Sequence, residues 1–176
     1  MPQCTSCHPR AATSTKVEDN LMPRPQACAA CHKQVSIKAP RKARLAKFDH
    51  ALHLKLGNIA PVLKAAVQSK AYLGDPALVA PYLDTKNACA ACHHGIEQST
   101  RVAADSRALY PQMADCLVCH NKIDPPFSCE LCHGDDKGLR PASHTADYLD
   151  AHTRRTVVKQ GCAVCHGRKF TCLGCH

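Results

Sequence analysis

The chain has no tryptophan, and Phe, Tyr and Trp together supply only 4% of its 176 residues. A protein of this size normally builds its interior from large apolar side chains, and one poor in them needs disulfides, metals or a cofactor to compensate. No apolar stretch approaches the roughly 18 to 20 residues that cross a bilayer, so no membrane span is expected. No run shows the apolar and polar alternation of a half-buried strand, which argues against a sheet. The start, MPQCTSCHPR, lacks the basic segment and apolar stretch of an export signal. Removal of such a signal accounts for this, and so does excision of the chain from something longer.

What is abundant is cysteine, 14 residues, and histidine, 12. The cysteines fall into seven motifs of one form. They are CTSCH (Cys4, Cys7, His8), CAACH (Cys28, Cys31, His32), CAACH (Cys89, Cys92, His93) and CLVCH (Cys116, Cys119, His120), then CELCH (Cys129, Cys132, His133), CAVCH (Cys162, Cys165, His166) and CLGCH (Cys172, Cys175, His176). They use every cysteine, whereas a random arrangement of this composition would hold well under one copy. The spacing is that of c-type haem attachment. Two thiols three positions apart form thioethers to the two vinyl groups of one haem, and the adjacent His lies against the iron as proximal ligand. Seven haems c are therefore expected. Disulfides and four-cysteine zinc sites also use CxxC pairs, but neither requires a His after every second Cys. A thioredoxin-like motif would occur once, beside a βαβ pattern that this sequence lacks. Stable c-type attachment is made outside the cytoplasm, so the expected location is the periplasm or the cell exterior.

The formal charge of +9 does not imply nucleic-acid binding. Seven haems would bring two propionates each, shifting the sum to about −5 with ferrous cores and about +2 with ferric ones. The basic run KAPRKARLAK (Lys38, Arg41, Lys42, Arg44, Lys47) is read as a solvated stretch or propionate partner, with docking of an acidic redox partner as the other reading.

Motif spacing divides the chain into an N-terminal dihaem segment (1–45), a trihaem module (46–138) and a C-terminal dihaem segment (139–176), read as one continuous haem-packed unit. Only five residues separate His166 from Cys172, so those two haems must be neighbours. The expected fold is mainly irregular and compact around haem, with a few short α-helices and little or no β-sheet. One helix is expected within 59–73, where apolar residues recur at helical intervals and Pro61 suits a first turn. A second is expected through PALVAPYL, interrupted at Pro81, and a third through SHTADYLDAHTRR with Ser143 as its cap. Five histidines lie outside the motifs: His50, His53, His94, His144 and His152. A low-spin c-type haem takes a second His or a Met on its distal side, so all five are candidate distal ligands.

The string FDHALH, followed by CAACHH, CLVCH and CELCH, resembles the class III cytochromes c, the tetrahaem proteins and their smaller trihaem relatives, over 46–138. The resemblance implies that His50 serves the haem at Cys89/Cys92, His94 the haem at Cys116/Cys119, and His53 the haem at Cys129/Cys132. The chain departs from that pattern where residues 54 to 88 separate His53 from the next motif, and the first two motifs have no counterpart in the short members. The C-terminal arrangement resembles that of longer multihaem chains of the same broad type, implying that His144 and His152 serve the haems at Cys162/Cys165 and Cys172/Cys175 in an order left open.

Seven haems present 14 axial positions against 12 histidines, so two positions are filled otherwise or stay open. Met22, between the first two motifs, is the candidate for one; Met113 stands three residues before Cys116, on a haem that His94 already claims. The expected function is outer-sphere electron transfer along close haems, with redox proteins as partners and no enzymatic site. The alternatives are reduction of a small nitrogen or sulfur species at a five-coordinate haem, and a subunit of an extended electron-conducting assembly, either a homo-oligomer or a filament. No CxxCK motif, the mark of one class of multihaem reductase, is present.

Overall fold

The computed structural model describes residues 3–29, 31–33, 45–99, 108, 110–120, 129–134, 139, 141–142, 144–151 and 159–166. Among these the regular structure is short and helical. The α-helices are α1 (Cys4–Cys7), α2 (Pro25–Ala29), α3 (His50–Leu54), α4 (Ala60–Gln68), α5 (Met113–Cys116), α6 (Tyr148–Ala151) and α7 (Lys159–His166), with 3-10 turns at Pro9–Thr13, Pro76–Leu78, Ala80–Tyr82 and Cys129–Leu131. No strand forms among the described residues, and their one β-type pairing is the antiparallel bridge between Leu45 and His133. The expected fold class is what the chain adopts.

The longest helix among the described residues, α4, lies inside the expected 59–73 stretch but is shorter. Asn58 Oδ1 accepts from the Ala60 amide (3.0 Å), and Pro61 sits in the first turn, where no backbone donor is needed. Ala60, Leu63 and Ala66 form its buried face. The helix stops early because Lys70 turns left-handed (φ 59°), letting the Ala71 and Tyr72 amides both donate to Ala66 O (2.8 and 3.0 Å). Tyr72 is thereby folded back onto the helix it would have extended.

The apolar core is small and belongs to the inserted stretch. Leu63, Ala66, Tyr72, Val79, Leu83 and Ala114 pack together, flanked by Ile59, Val67 and Val118. The second expected helix is instead two 3-10 turns meeting at Val79, which is fully buried. Of the third expected helix the described part is α6; its expected cap, Ser143, and residues 152–155 lie outside the described residues. Helix α7, unlike these, was not expected: it carries the whole CAVCH motif.

Candidate haem-attachment site

Each motif from Cys4 to His133 closes one helical turn on itself. The motif His amide donates to the carbonyl of the first Cys: His8 to Cys4 (2.8 Å), His32 to Cys28 (2.9 Å), His93 to Cys89 (2.9 Å), His120 to Cys116 (3.0 Å) and His133 to Cys129 (2.8 Å). The sixth motif is carried by α7; Cys172, Cys175 and His176 lie outside the described residues. Positions i and i+3 of a helical turn share a face, so each turn aims two thiols the same way with the imidazole next to them. No disulfide joins the described cysteines. Nor do the described residues gather three or more His, Cys, Asp or Glu side chains as a zinc site requires.

The histidine rings are held ready to bind through Nε2. Nδ1 of His8 lies 2.7 Å from Leu21 O, that of His93 2.7 Å from Ala108 O and that of His53 2.7 Å from Asp49 O. A carbonyl only accepts, so Nδ1 carries the proton in each and Nε2 keeps its lone pair for a metal. Two pairs of rings face one another with a gap between them. His53 and His120 have ring centres 6.3 Å apart, tilted 42°; His144 and His166 are 6.1 Å apart and nearly parallel at 8°. A metal–imidazole bond is about 2 Å, and the ring centre lies ~1 Å behind the nitrogen, so two rings on opposite sides of one iron have centres about 6 Å apart. Both separations match that figure.

His50 and His53 share α3, which Asp49 caps by accepting from the Leu52 amide (2.7 Å). Phe48 steadies both rings, stacking on His53 (4.5 Å) and meeting His50 edge-on (4.7 Å). Burial lowers the His50 pKa from its ordinary value, and the nearby His93 and His53 rings lower it further. His93 shifts down in the same way, again chiefly through burial, with His8 and His94 adding to it against the Ala108 carbonyl. The backbone just ahead of α3 is tied to the fifth motif, the Ala46 amide donating to Cys132 O (2.8 Å). The His53 ring lies 6.3 Å from that of His120 in the fourth motif, whereas the class III resemblance assigns His53 to the fifth motif, that of His133.

His94 is almost fully enclosed, at 2% exposure, between Tyr82 and Asp115. Its Nε2 pairs with Asp115 Oδ2 at 3.4 Å, while its Nδ1 has no hydrogen bond. The same is true of His50 Nδ1. Buried nitrogens of this kind cost free energy unless a proton acceptor, donor or metal meets them, which suits a donor set made for iron. Asp115 also accepts from Tyr72 Oη (2.7 Å) and the Gln112 amide (2.9 Å). Burial works to raise its pKa, but His94, Tyr72 and Gln112 outweigh it and hold the carboxyl below its ordinary value.

The motifs adjoin in a definite order. Asn87 Nδ2 donates to Cys4 Sγ (3.4 Å), and burial together with the neighbouring Cys4 thiol raises the Cys89 pKa. Burial pushes Cys92 up to about 11, helped by Asp115, Cys116 and Cys119; it does the same for Cys116, helped by Asp115 and Cys132. Cys165 is raised by burial and then by Cys129. Motifs one, three, four, five and six thus form a run of neighbours.

A cavity of ≈ 130 Å³ opens beside the first motif, lined among others by Cys7, His8, Arg10, Met22 and Arg24. Met22 therefore stands on the same cavity as His8. Met113 begins α5, and Met1 and His152 lie outside the described residues, as do Lys38, Arg41, Lys42 and Arg44 of the basic run. Sequence reasoning missed Asn87, Glu97, Tyr72 and Asp115. A signal existed for two of them: Asn87 is a turn-opening residue two before Cys89, and Gln112 with Asp115 forms a reciprocal capping box.

A family model described as "Outer membrane cytochrome MtrC/MtrF-like, domains II/IV" matches residues 1–176, the whole chain. No curated protein and no solved structure matches it.

Proposed function

The chain belongs to the outer membrane cytochrome MtrC/MtrF-like family, domains II/IV, and from that premise we propose that it moves electrons by outer-sphere hopping along seven covalently attached haems, in the periplasm or at the cell exterior. Membership makes it a multihaem c-type cytochrome with redox partners; the number seven and the ligand map are our own reading. What haem iron supplies is one-electron cycling between ferrous and ferric states.

The residues of this chain do the rest. Cys4, Cys7, Cys28, Cys31, Cys89, Cys92, Cys116, Cys119, Cys129, Cys132, Cys162, Cys165, Cys172 and Cys175 attach the seven groups, and the His that follows each pair is the proximal ligand. We assign His53 to the iron of His120, His144 to that of His166, and His50 to that of His93. The first assignment differs from the one the class III resemblance implies, in which His53 serves the haem at Cys129/Cys132 and His94 the haem at Cys116/Cys119. Met22 is the distal candidate at His8, where thioether ligation would raise the potential above that of the bis-His irons. His152 remains the candidate for the last motif. The segments 1–45, 46–138 and 139–176 act as one haem-packed unit, since the first motif already adjoins the third.

The observation that supports the reading is the repeated turn, which sets the two cysteines and the histidine of every described motif up to His133 on one helical turn. No helix of the described residues is long and apolar enough to cross a membrane. Intact-mass measurement of the mature protein should show about 4.3 kDa above the 19.0 kDa polypeptide, at ~616 Da per haem added through thioethers. Free thiols at any motif, or a zinc adduct, would remove the seven-haem reading. Low-temperature EPR separates this reading from a small-molecule reductase: one or two high-spin irons in the oxidised protein would favour catalysis at the cavity beside His8.

A further inference from the structure

We propose that Asn87 is a positioning residue that locks the first haem-attachment motif onto the third, and so sets the approach between the groups held by Cys4/Cys7 and Cys89/Cys92. The inference rests on the electron-transfer reading above. The Asn87 carboxamide is used on every side. Nδ2 donates to Cys4 Sγ (3.4 Å) and to Glu97 Oε1 (3.2 Å), while Oδ1 accepts from the Cys89 amide (3.0 Å). Its own amide donates to Thr85 Oγ1 (3.0 Å), and Thr85 Oγ1 in turn donates to Glu97 Oε2 (2.9 Å). Thr85 is itself tied to the start of the inserted helix, through Asn58 Nδ2 donating to Thr85 O (2.8 Å). With both Nδ2 hydrogens and Oδ1 engaged, the amide cannot flip, and its donor to Cys4 has a fixed direction.

The bond to Cys4 spans 83 positions of sequence, so no local preference produces it. The first motif is pinned a second time where the Ala51 amide of α3 donates to Ser14 O (2.9 Å). Two anchors, one at each end of 4–14, hold that segment against the third motif and against the helix bearing His50 and His53. Sulfur remains a weak acceptor after thioether formation, so attachment does not remove the acceptor that Asn87 meets. An N–H···S bond contributes little by itself. Its effect is to fix a geometry, and a site's geometry degrades with displacements of about 1 Å.

The test uses the reduced, diamagnetic holoprotein, with nuclear Overhauser effects measured between protons of the two haems. Wild type should show cross-peaks between the haem at Cys4/Cys7 and that at Cys89/Cys92. Asn87→Ala should keep all haems by mass and a low-spin optical spectrum, but weaken those cross-peaks about fourfold, the sixth-power loss for ~1 Å of drift from some 4 Å. It should also shift the midpoint potentials of these two haems relative to the others. Asn87→Asp keeps the acceptor for the Cys89 amide while losing the donor to Cys4 and facing Glu97, so it carries the test if the alanine variant fails to mature. Unchanged cross-peaks and potentials in both variants, with all haems retained, would overturn the positioning role alone. Absence of haem from Cys4/Cys7 or Cys89/Cys92 in the wild type, seen as a mass deficit, would overturn the underlying reading and this inference with it.

Discussion

His53 offers the sharpest check on the ligand map, because its ring makes two kinds of contact that respond differently to removal. Locally it stacks on Phe48 at 4.5 Å and donates from Nδ1 to Asp49 O at 2.7 Å. The stacking contributes about 0.5–1.5 kcal/mol and the hydrogen bond about 1 kcal/mol, so His53→Ala should lower stability by ~2 kcal/mol whatever the ring's role. Stability therefore decides nothing. The spin state does. If His53 and His120 flank one iron across their 6.3 Å separation, the variant keeps all its haem mass but turns about one-seventh of its iron high-spin or water-ligated. EPR of the oxidised protein reads that fraction. To learn which iron it is, the substitution is repeated in a background with Cys116 and Cys119 replaced, where no new high-spin signal should arise, and in one with Cys129 and Cys132 replaced, where it should persist. The reverse pattern would restore the class III assignment and refute the geometric one; no high-spin signal in any background would reduce His53 to a packing residue beside Phe48.

Three further outcomes follow from the inserted core. A Cβ on Gly74 would stand 2.9 Å from both Ala114 Cβ and Tyr72 Cε1, so Gly74→Ala should cost about 1–3 kcal/mol in denaturant titration through overpacking. Lys70, exposed and left-handed at φ 59°, should accept glycine: Lys70→Gly removes about 1 kcal/mol of backbone strain, part of which is returned by the freer unfolded chain, leaving a small rise in melting temperature. Asp115 has a depressed folded pKa, so its contribution is present above the unfolded value near 3.9 and is lost as pH falls through the lower folded value. Asp115→Asn should accordingly be less stable than wild type at pH 7, with the gap closing below pH ~4 in melts taken across pH; a gap that stays constant would mean the carboxylate charge is not what matters.

The parts legible in the sequence were those written in consecutive residues. C-x-x-C-H prescribes its own turn, and the amide of His8 or His93 finds the carbonyl four residues back without help from the rest of the chain. The helix around Leu63 and Ala66 was legible for the same reason, since its apolar period is local. Its end was not, because it depends on Lys70 adopting a conformation that lysine rarely takes and on Tyr72 reaching Asp115 across 43 positions. The pairing of His53 with His120 was hidden for a related reason. A three-residue spacing says that two rings leave one helical face, but which ring each approaches depends on how distant segments dock. Asn87 carried a readable turn signal; its contact with Cys4 was not readable, because it joins segments that only the tertiary fold brings together.

The distribution of burial makes physical sense of a chain so poor in aromatics. Among the described residues, the buried apolar side chains all fall between Ala60 and Leu117. Outside that interval the one buried polar residue is Ser14, whose carbonyl meets α3. Among the described residues the first, second and fifth motifs therefore fold as turns without an apolar layer of their own, and a turn of four or five residues is too short to persist in water unaided. Each of these turns instead presents two thiols and an imidazole toward one side, which is the arrangement that a large, flat, apolar cofactor covers. On the reading proposed here the chain divides its labour. The inserted stretch builds an ordinary core that holds the third and fourth motifs, Asn87 pins the first onto it while Ser14 ties the first to α3, and covalent haem takes the place of buried side chains elsewhere, so that the spacing between redox centres and the stability of the fold are set by the same contacts.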